Sequence, residues 1–180
     1  VGTGINTKHG YSDIAVKKLS ELTDIQFSVA ADLVEASSDM GAFVIYSSAL
    51  KRLAIKLSKI ANDLRLLSMG PKAGLSEINL PARQPGSSIM PGKVNPVIPE
   101  AVSQCAYQVI GNDIAVTMAS EAGQLQLNAM EPVIAVNIFD SISLLTKAAN
   151  MFKTLCIEGI EANPDRCKEL LDNSLGLVTA

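Results

Sequence analysis

The sequence predicts an all-α protein, a bundle of long helices that completes its core by homo-oligomerisation. Three observations predict it. Apolar residues are 48% of the 180-residue chain, yet aromatics are only 4% and tryptophan is absent. The apolar content is therefore Ala, Leu, Ile, Val and Met, a mixture that favours helices packed on helices. From Phe43 to Leu67 large apolar residues recur at alternating spacings of three and four, the signature of a helical face. The periodic segments run to about 22 to 30 residues, or about 33 to 45 Å at the helical rise. They are too apolar for the surface of a three-helix monomer, so equivalent helices from further copies are expected to cover them.

The elements follow in order. Residues 1–10 read as a loop, with Gly2-Thr3-Gly4 and the turn-forming Asn6-Thr7-Lys8-His9-Gly10. Ser12 then has the chemistry of an N-cap, with Asp13 in the first turn and Ile14, Val16, Leu19 and Leu22 carrying a short helix to about Thr23. A much longer helix carries a heptad seam of Phe43, Tyr46, Leu50, Leu53, Leu57, Ile60, Leu64 and Leu67. It stops at Met69-Gly70-Pro71, where glycine supplies a left-handed cap and proline blocks continuation. From Gly70 to about Pro96 no helical period survives and five prolines intervene, at 71, 81, 85, 91 and 96. A loop this long between strong helices is expected to be functional. A helix from about Val97 to Ala119 has only Glu100 and Asp113 as charges, and a second low-charge helix spans roughly Met130 to Gly159. Asn163-Pro164 then supplies an N-cap and an N1 proline for a last helix through Cys167, Leu170 and Leu171.

The formal net charge of −3 and pI near 5.2 give no basic field for nucleic acid or an anionic membrane, which leaves a small molecule as the expected partner. The opening residues lack the charged and apolar regions of a signal peptide. No run of about 18 uncharged apolar residues suggests a membrane span, so a soluble, cytoplasmic protein is expected. Cys105, Cys156 and Cys167 are an odd count without C-x-x-C spacing and read as reduced thiols on helices. The single histidine, His9, has no second ligand candidate near it and reads as a surface residue, so no metal site is expected there.

Chemistry concentrates in Gly86-Ser87-Ser88-Ile89-Met90-Pro91-Gly92-Lys93-Val94-Asn95-Pro96. Two glycines allow close approach of backbone to a ligand, Ser87 and Ser88 offer hydroxyls, Lys93 brings a point charge and Asn95 a two-sided amide. That set suits a carboxylate or a phosphate, and the residues alone do not choose between them. The P-loop pattern is absent, since no Gly-Lys-Ser/Thr opens a helix here.

The same string matches, at every fixed position, the G-S-S-x-x-P-x-K-x-N signature of the fumarase/aspartase superfamily. Gly2-Thr3-Gly4-Ile5-Asn6, Leu64-Arg65-Leu66-Leu67 and Gly74-Leu75-Ser76-Glu77-Ile78-Asn79-Leu80-Pro81 also resemble family segments, in family order. The resemblance covers effectively the whole chain. It implies that residues 1–180 are a central helical domain with the substrate loop at about 70–96, part of a tetramer-type bundle. The family's N-terminal domain and small C-terminal domain lie outside this chain. It further implies an elimination in which a serine, here Ser87, removes a proton beside a carboxylate to give an aci-carboxylate, while Ser88, Lys93 and Asn95 bind the dicarboxylate substrate. Glu100 matches a glutamate that pairs with a histidine of another subunit and is carried over as a supporting residue of the catalytic set.

The leaving group is not legible in the loop. Ala122-Gly123-Gln124-Leu125-Gln126-Leu127-Asn128-Ala129-Met130-Glu131-Pro132 resembles the aspartase branch, whereas class II fumarases carry an aromatic-acidic pair before Leu-Asn and an arginine before the proline. Elimination of ammonia from L-aspartate is therefore expected over elimination of water from malate. A third expectation is that these 180 residues alone form a bundle without activity. Asn128 reads as either a site residue or an N-cap for the following helix.

Overall fold

A computed structural model describes residues 2–70, 72–86, 88–90 and 92–175. Val1, Pro71, Ser87, Pro91 and residues 176–180 lie outside the described residues, and with them the helix-blocking role of Pro71 and the position of the expected base, Ser87. The helices are α1 (Tyr11–Thr23), α2 (Gly41–Leu67), α3 (Val97–Glu121), α4 (Glu131–Leu155) and α5 (Pro164–Asp172). Two short strands, β1 (Ile78–Asn79) and β2 (Glu161–Ala162), pair antiparallel with Ile78 opposite Ala162. The fold is all-α, as the composition and periodicity predict.

Helices α2, α3 and α4 run up, down and up, with α3 in the middle. Met40, just before α2, meets Val116 and Ala119 at the end of α3 and Ile134 and Ile138 at the start of α4. Ala54, Ala106, Val109 and Leu145 form the central layer, and Ala61, Val102, Phe152 and Cys156 the far one. The apolar positions of α3 turn both ways, which is why its sequence carries so few charges. Val102, Val109 and Val116 are each about 1% exposed, and burying such a side chain contributes about 1.5 kcal/mol or more.

The heptad seam of α2 is split. Leu50, Leu57 and Leu64 pack inward, but the residues at the centre of the intrachain face are Ser47, Ala54, Ser58 and Ala61. Phe43, Tyr46, Leu53 and Ile60 stay exposed. Small side chains let the α2 and α3 backbones come close, so the helix is rotated away from its largest residues. Polar contacts fit the same narrow interface: Ser58 Oγ donates to Ser103 Oγ at 3.4 Å, and Ser47 Oγ and Lys51 Nζ donate to the buried Asp113 carboxylate. On the other side of α3, Asn112 Nδ2 donates to Ser141 Oγ of α4 at 3.1 Å.

Several helix ends differ from expectation for local reasons. Ser12 lies inside α1, whose N-cap is Gly10 at φ 78°, so it is not the cap. Gly70 is not left-handed; α2 stops at Leu67, and the left-handed residue is Ser76 at φ 54°. Its amide donates to Met69 O at 2.7 Å and that of Glu77 to Leu67 O at 3.0 Å, closing the chain back on the helix end. A Cβ on Gly70 would sit 2.9 Å from that of Ser76, so this glycine is required for space rather than for φ. Helix α3 continues two residues past Ala119, and α4 gives way at Cys156 to a 3₁₀ turn, Ile157–Gly159. Residues Glu131–Gly159 are long and apolar enough by length and composition to cross a membrane, although Asp140, Lys147 and Lys153 interrupt the stretch and no uncharged run of about 18 residues occurs in it. In the fold, Ile134, Ile138, Leu145 and Phe152 of that stretch pack against α3.

Asn128 is neither an N-cap residue nor open to a ligand. It is buried two residues ahead of the α4 cap, where Nδ2 donates to Ala119 O and Ser120 O and Oδ1 accepts the Met130 amide. One side chain thus ties the end of α3 to the start of α4.

Candidate active-site loop

The segment between α2 and α3 is not the structureless loop its prolines suggest. Residues 78–79 form β1, and Pro85 pairs with Val94 in an isolated antiparallel bridge, so that the Gly86 amide donates to Lys93 O at 3.0 Å. Of the described signature residues, Gly86, Ser88 and Lys93 lie on the hairpin that this bridge closes.

Its two glycines serve different needs. A Cβ on Gly86 would lie 2.4 Å from Lys93 O, so the bridge can close only over a hydrogen. Gly92 has open space around it but sits at φ 79°, a conformation that costs a side-chain-bearing residue. The Lys93 amide returns to Met90 O at 3.2 Å, completing the turn. Ser88, Ile89, Met90 and Lys93 are all exposed at the tip and along one arm. Among the described residues no carboxylate pairs with Lys93, which leaves its ammonium available to an anion.

Asn95 and Glu100 are placed differently. Asn95 is half-buried and lines a crevice of about 10 Å³ against Leu80, Pro81, Pro99, Leu155 and Cys156, too small for a ligand. Its carbonyl accepts the Val97 amide at 2.9 Å at the entrance to α3. Glu100, in the first turn of α3, is 3.6 Å from Arg65 in the last turn of α2. Both side chains are 40% exposed, so the pair adds at most about 1 kcal/mol. The structure therefore brings Ser88 and Lys93 onto one hairpin, sets Asn95 at its base, and engages Glu100 with a cation of its own chain.

A cleft of about 250 Å³ opens beside the hairpin, lined by Ser68, Gly70, Ser76, Asn79, Leu80, Gly92, Val94 and Pro96. Its polar wall, Ser68, Ser76 and Asn79, was not among the expected site residues. The available signal was polar residues lodged between Gly74 and Pro81 in a segment without helical period. Arg83 Nε donates to Leu155 O at 3.0 Å, anchoring the arm that leads to the hairpin. Burial pushes the Cys156 thiol beneath it above its ordinary pKa, and the Arg83 charge opposes that shift. His9 is exposed, and among the described residues no three His, Cys, Asp or Glu side chains cluster to hold a metal.

Residues 1–111 match the family model described as lyase. The chain is 64% identical over 180 residues to the aspartate ammonia-lyase of Pseudomonas aeruginosa, covering all of this chain and 38% of that protein. It is 59% identical over 179 residues to the aspartate ammonia-lyase of Escherichia coli K12, covering 99% and 37%. It matches the crystal structure of a fumarate lyase:delta crystallin from Brucella melitensis bound to cobalt with TM-score 0.95 and 58% identity, over 99% of this chain and 39% of that one. Against a recombinant class II fumarase from Schistosoma mansoni the TM-score is 0.94 and the identity 36%, over 99% and 40%. The chain spans well under half the length of these relatives.

Proposed function

Because this chain belongs to the lyase family, within the fumarase/aspartase superfamily, we propose that it is the central segment of a carbon–nitrogen lyase that converts L-aspartate reversibly to fumarate and ammonia. The observation that carries the choice of leaving group is the contrast in identity, 59% to 65% with aspartate ammonia-lyases against 36% with a class II fumarase. In this reading Ser87 takes the Cβ proton, the electron pair is held on the adjacent carboxyl as an aci-carboxylate, and the C–N bond then breaks to release ammonia. Ser88 and Lys93 bind the carboxylate that becomes doubly negative, Asn95 joins them by turning its side chain out of the crevice at the hairpin base, and Glu100 supports them. The chemistry as drawn asks for no organic cofactor.

The physics of the hairpin supports these roles. A hydroxyl is a weak base at neutral pH unless its oxyanion is stabilised, and the exposed Lys93 ammonium, six positions further along the sequence, offers that charge. The same donors stabilise the developing dianion, where a fixed cation contributes most. Ser87→Ala in the full-length enzyme is expected to lower kcat by about 10²- to 10³-fold or more, followed by fumarate absorbance; near-normal turnover would remove Ser87 from the role. L-Malate offered beside L-aspartate separates the water-eliminating alternative.

The chain covers 38% of its relatives, which supports a second reading: the isolated 180 residues form a bundle without turnover, the rest of the site belonging to other segments and subunits. A homotetramer would supply those subunits, and three free cysteines support a cytoplasmic location.

A further inference from the structure

The structure assigns Asn163 and Arg166 as positioning residues for the substrate loop, an inference that rests on reading that loop as the carboxylate-binding element. The cleft beside the hairpin has two walls, Gly92 and Val94 on one side and Ser76, Asn79 and Leu80 on the other. The second wall is held by residues some 85 to 90 positions later in the chain. Asn163 Nδ2 donates to Ser76 O at 2.8 Å, its Oδ1 accepts from Asn79 Nδ2 at 2.7 Å, and its backbone amide donates to Glu77 O at 2.8 Å. Arg166 Nε donates to Leu75 O at 3.0 Å.

Two features show that this clamp is more than a helix start. Asn163 stands at the N-cap position of α5 yet makes no side-chain cap bond; its amide is committed to the cleft wall instead. The wall also contains Ser76 in the left-handed region, a conformation that persists only where its surroundings over-determine it. Ser76 is held from the α2 side by Met69 O and from the α5 side by Asn163, and β1 pairs with β2 directly after it. Five residues separate Asn79 from the Pro85–Val94 bridge, so a shift of the wall reaches the hairpin stem through a short arm.

Displacements of about 1 Å in positioning elements can cost about 100-fold in rate or affinity. The test uses the full-length enzyme with Asn163→Asp, which loses the side-chain donor to both Ser76 O and Asn79 Oδ1, and with Arg166→Met and Arg166→Lys. In Asn163→Asp and Arg166→Met, KM for L-aspartate is expected to rise about tenfold while kcat stays within about threefold. Hydrogen exchange should quicken in residues 74–79 and 86–95 but not in α2 to α4, and Arg166→Lys should recover part of the KM. Unchanged KM, or opening of 74–79 without any change at 86–95, would overturn the assignment. A wild-type enzyme that turns over no dicarboxylate would defeat the proposed function instead. The exchange comparison then decides the clamp alone, with quickened exchange at 86–95 supporting it and unchanged exchange overturning it.

Discussion

Gly86 and Gly92 sit six residues apart in one signature, and each is irreplaceable for its own reason. At Gly86 an added methyl meets the Lys93 carbonyl at 2.4 Å, a backbone atom that has nowhere to go. Gly86→Ala is therefore expected to open the stem and lower kcat/KM of the full-length enzyme by at least about tenfold, since misplaced binding groups cost that much or more. Thermal unfolding should hardly change, because the hairpin lies outside the core layers; a normal kcat/KM would contradict the stem. At Cys156 the consequence is a pH dependence. Its folded pKa is raised by burial, so its contribution to stability is fully present below the ordinary value of 9.0 and is lost as pH climbs through the higher folded value. Stability measured from pH 8 to 11 should fall less steeply in Cys156→Ala than in wild type, and thiol reagents should reach Cys156 only after unfolding.

At the scale of elements, what could be read from the sequence was whatever declares itself locally. Helices α2, α3 and α4 announce themselves because apolar spacing reports a buried face wherever that face lies. Which face is buried within the chain is not a local property. In α2 the largest residues, Phe43, Tyr46 and Leu53, mark the seam in sequence but stay exposed, because the intrachain contact selects residues small enough for close backbones. The two-residue strand β1 was invisible, since its partner lies some 80 residues away. Asp113, the only charge inside the middle stretch of α3, reads in sequence only as a charge; its partners Ser47 and Lys51 sit on another helix. Lys51→Met would leave that buried carboxylate with hydroxyl donors only, a loss on the order of 3 kcal/mol. Urea unfolding of the full-length protein measures it, and an unchanged midpoint would show that Ser47 suffices. At the candidate site the sequence placed Ser88 and Lys93 on one loop, but the cleft wall opposite could not be found without knowing that α5 folds back onto residues 74–79.

At the scale of the 180 residues together, apolar surface stays uncovered along each long helix: Phe43, Ile45 and Leu53 on α2, Tyr107, Ile114 and Met118 on α3, and Val136 and Phe139 on α4. Exposed apolar residues on several helices of one bundle suit an interaction surface. The chain is expected to sediment as an oligomer, with tetramer the proposed state of the full-length protein; a stable monomer by analytical ultracentrifugation would contradict it. The same surface explains why intrachain packing alone does not define the seam of α2.

The Pro85–Val94 bridge also sets how much disorder a ligand must remove. Without it, about fourteen residues between Pro81 and Pro96 would have to be brought to order around an anion; with it, about six remain inside the stem. In the logarithmic loop law the difference is roughly 0.75 kcal/mol, a three- to fourfold gain in affinity. That saving is spent once, during folding, and every turnover thereafter starts from a loop whose ends already agree on where to meet.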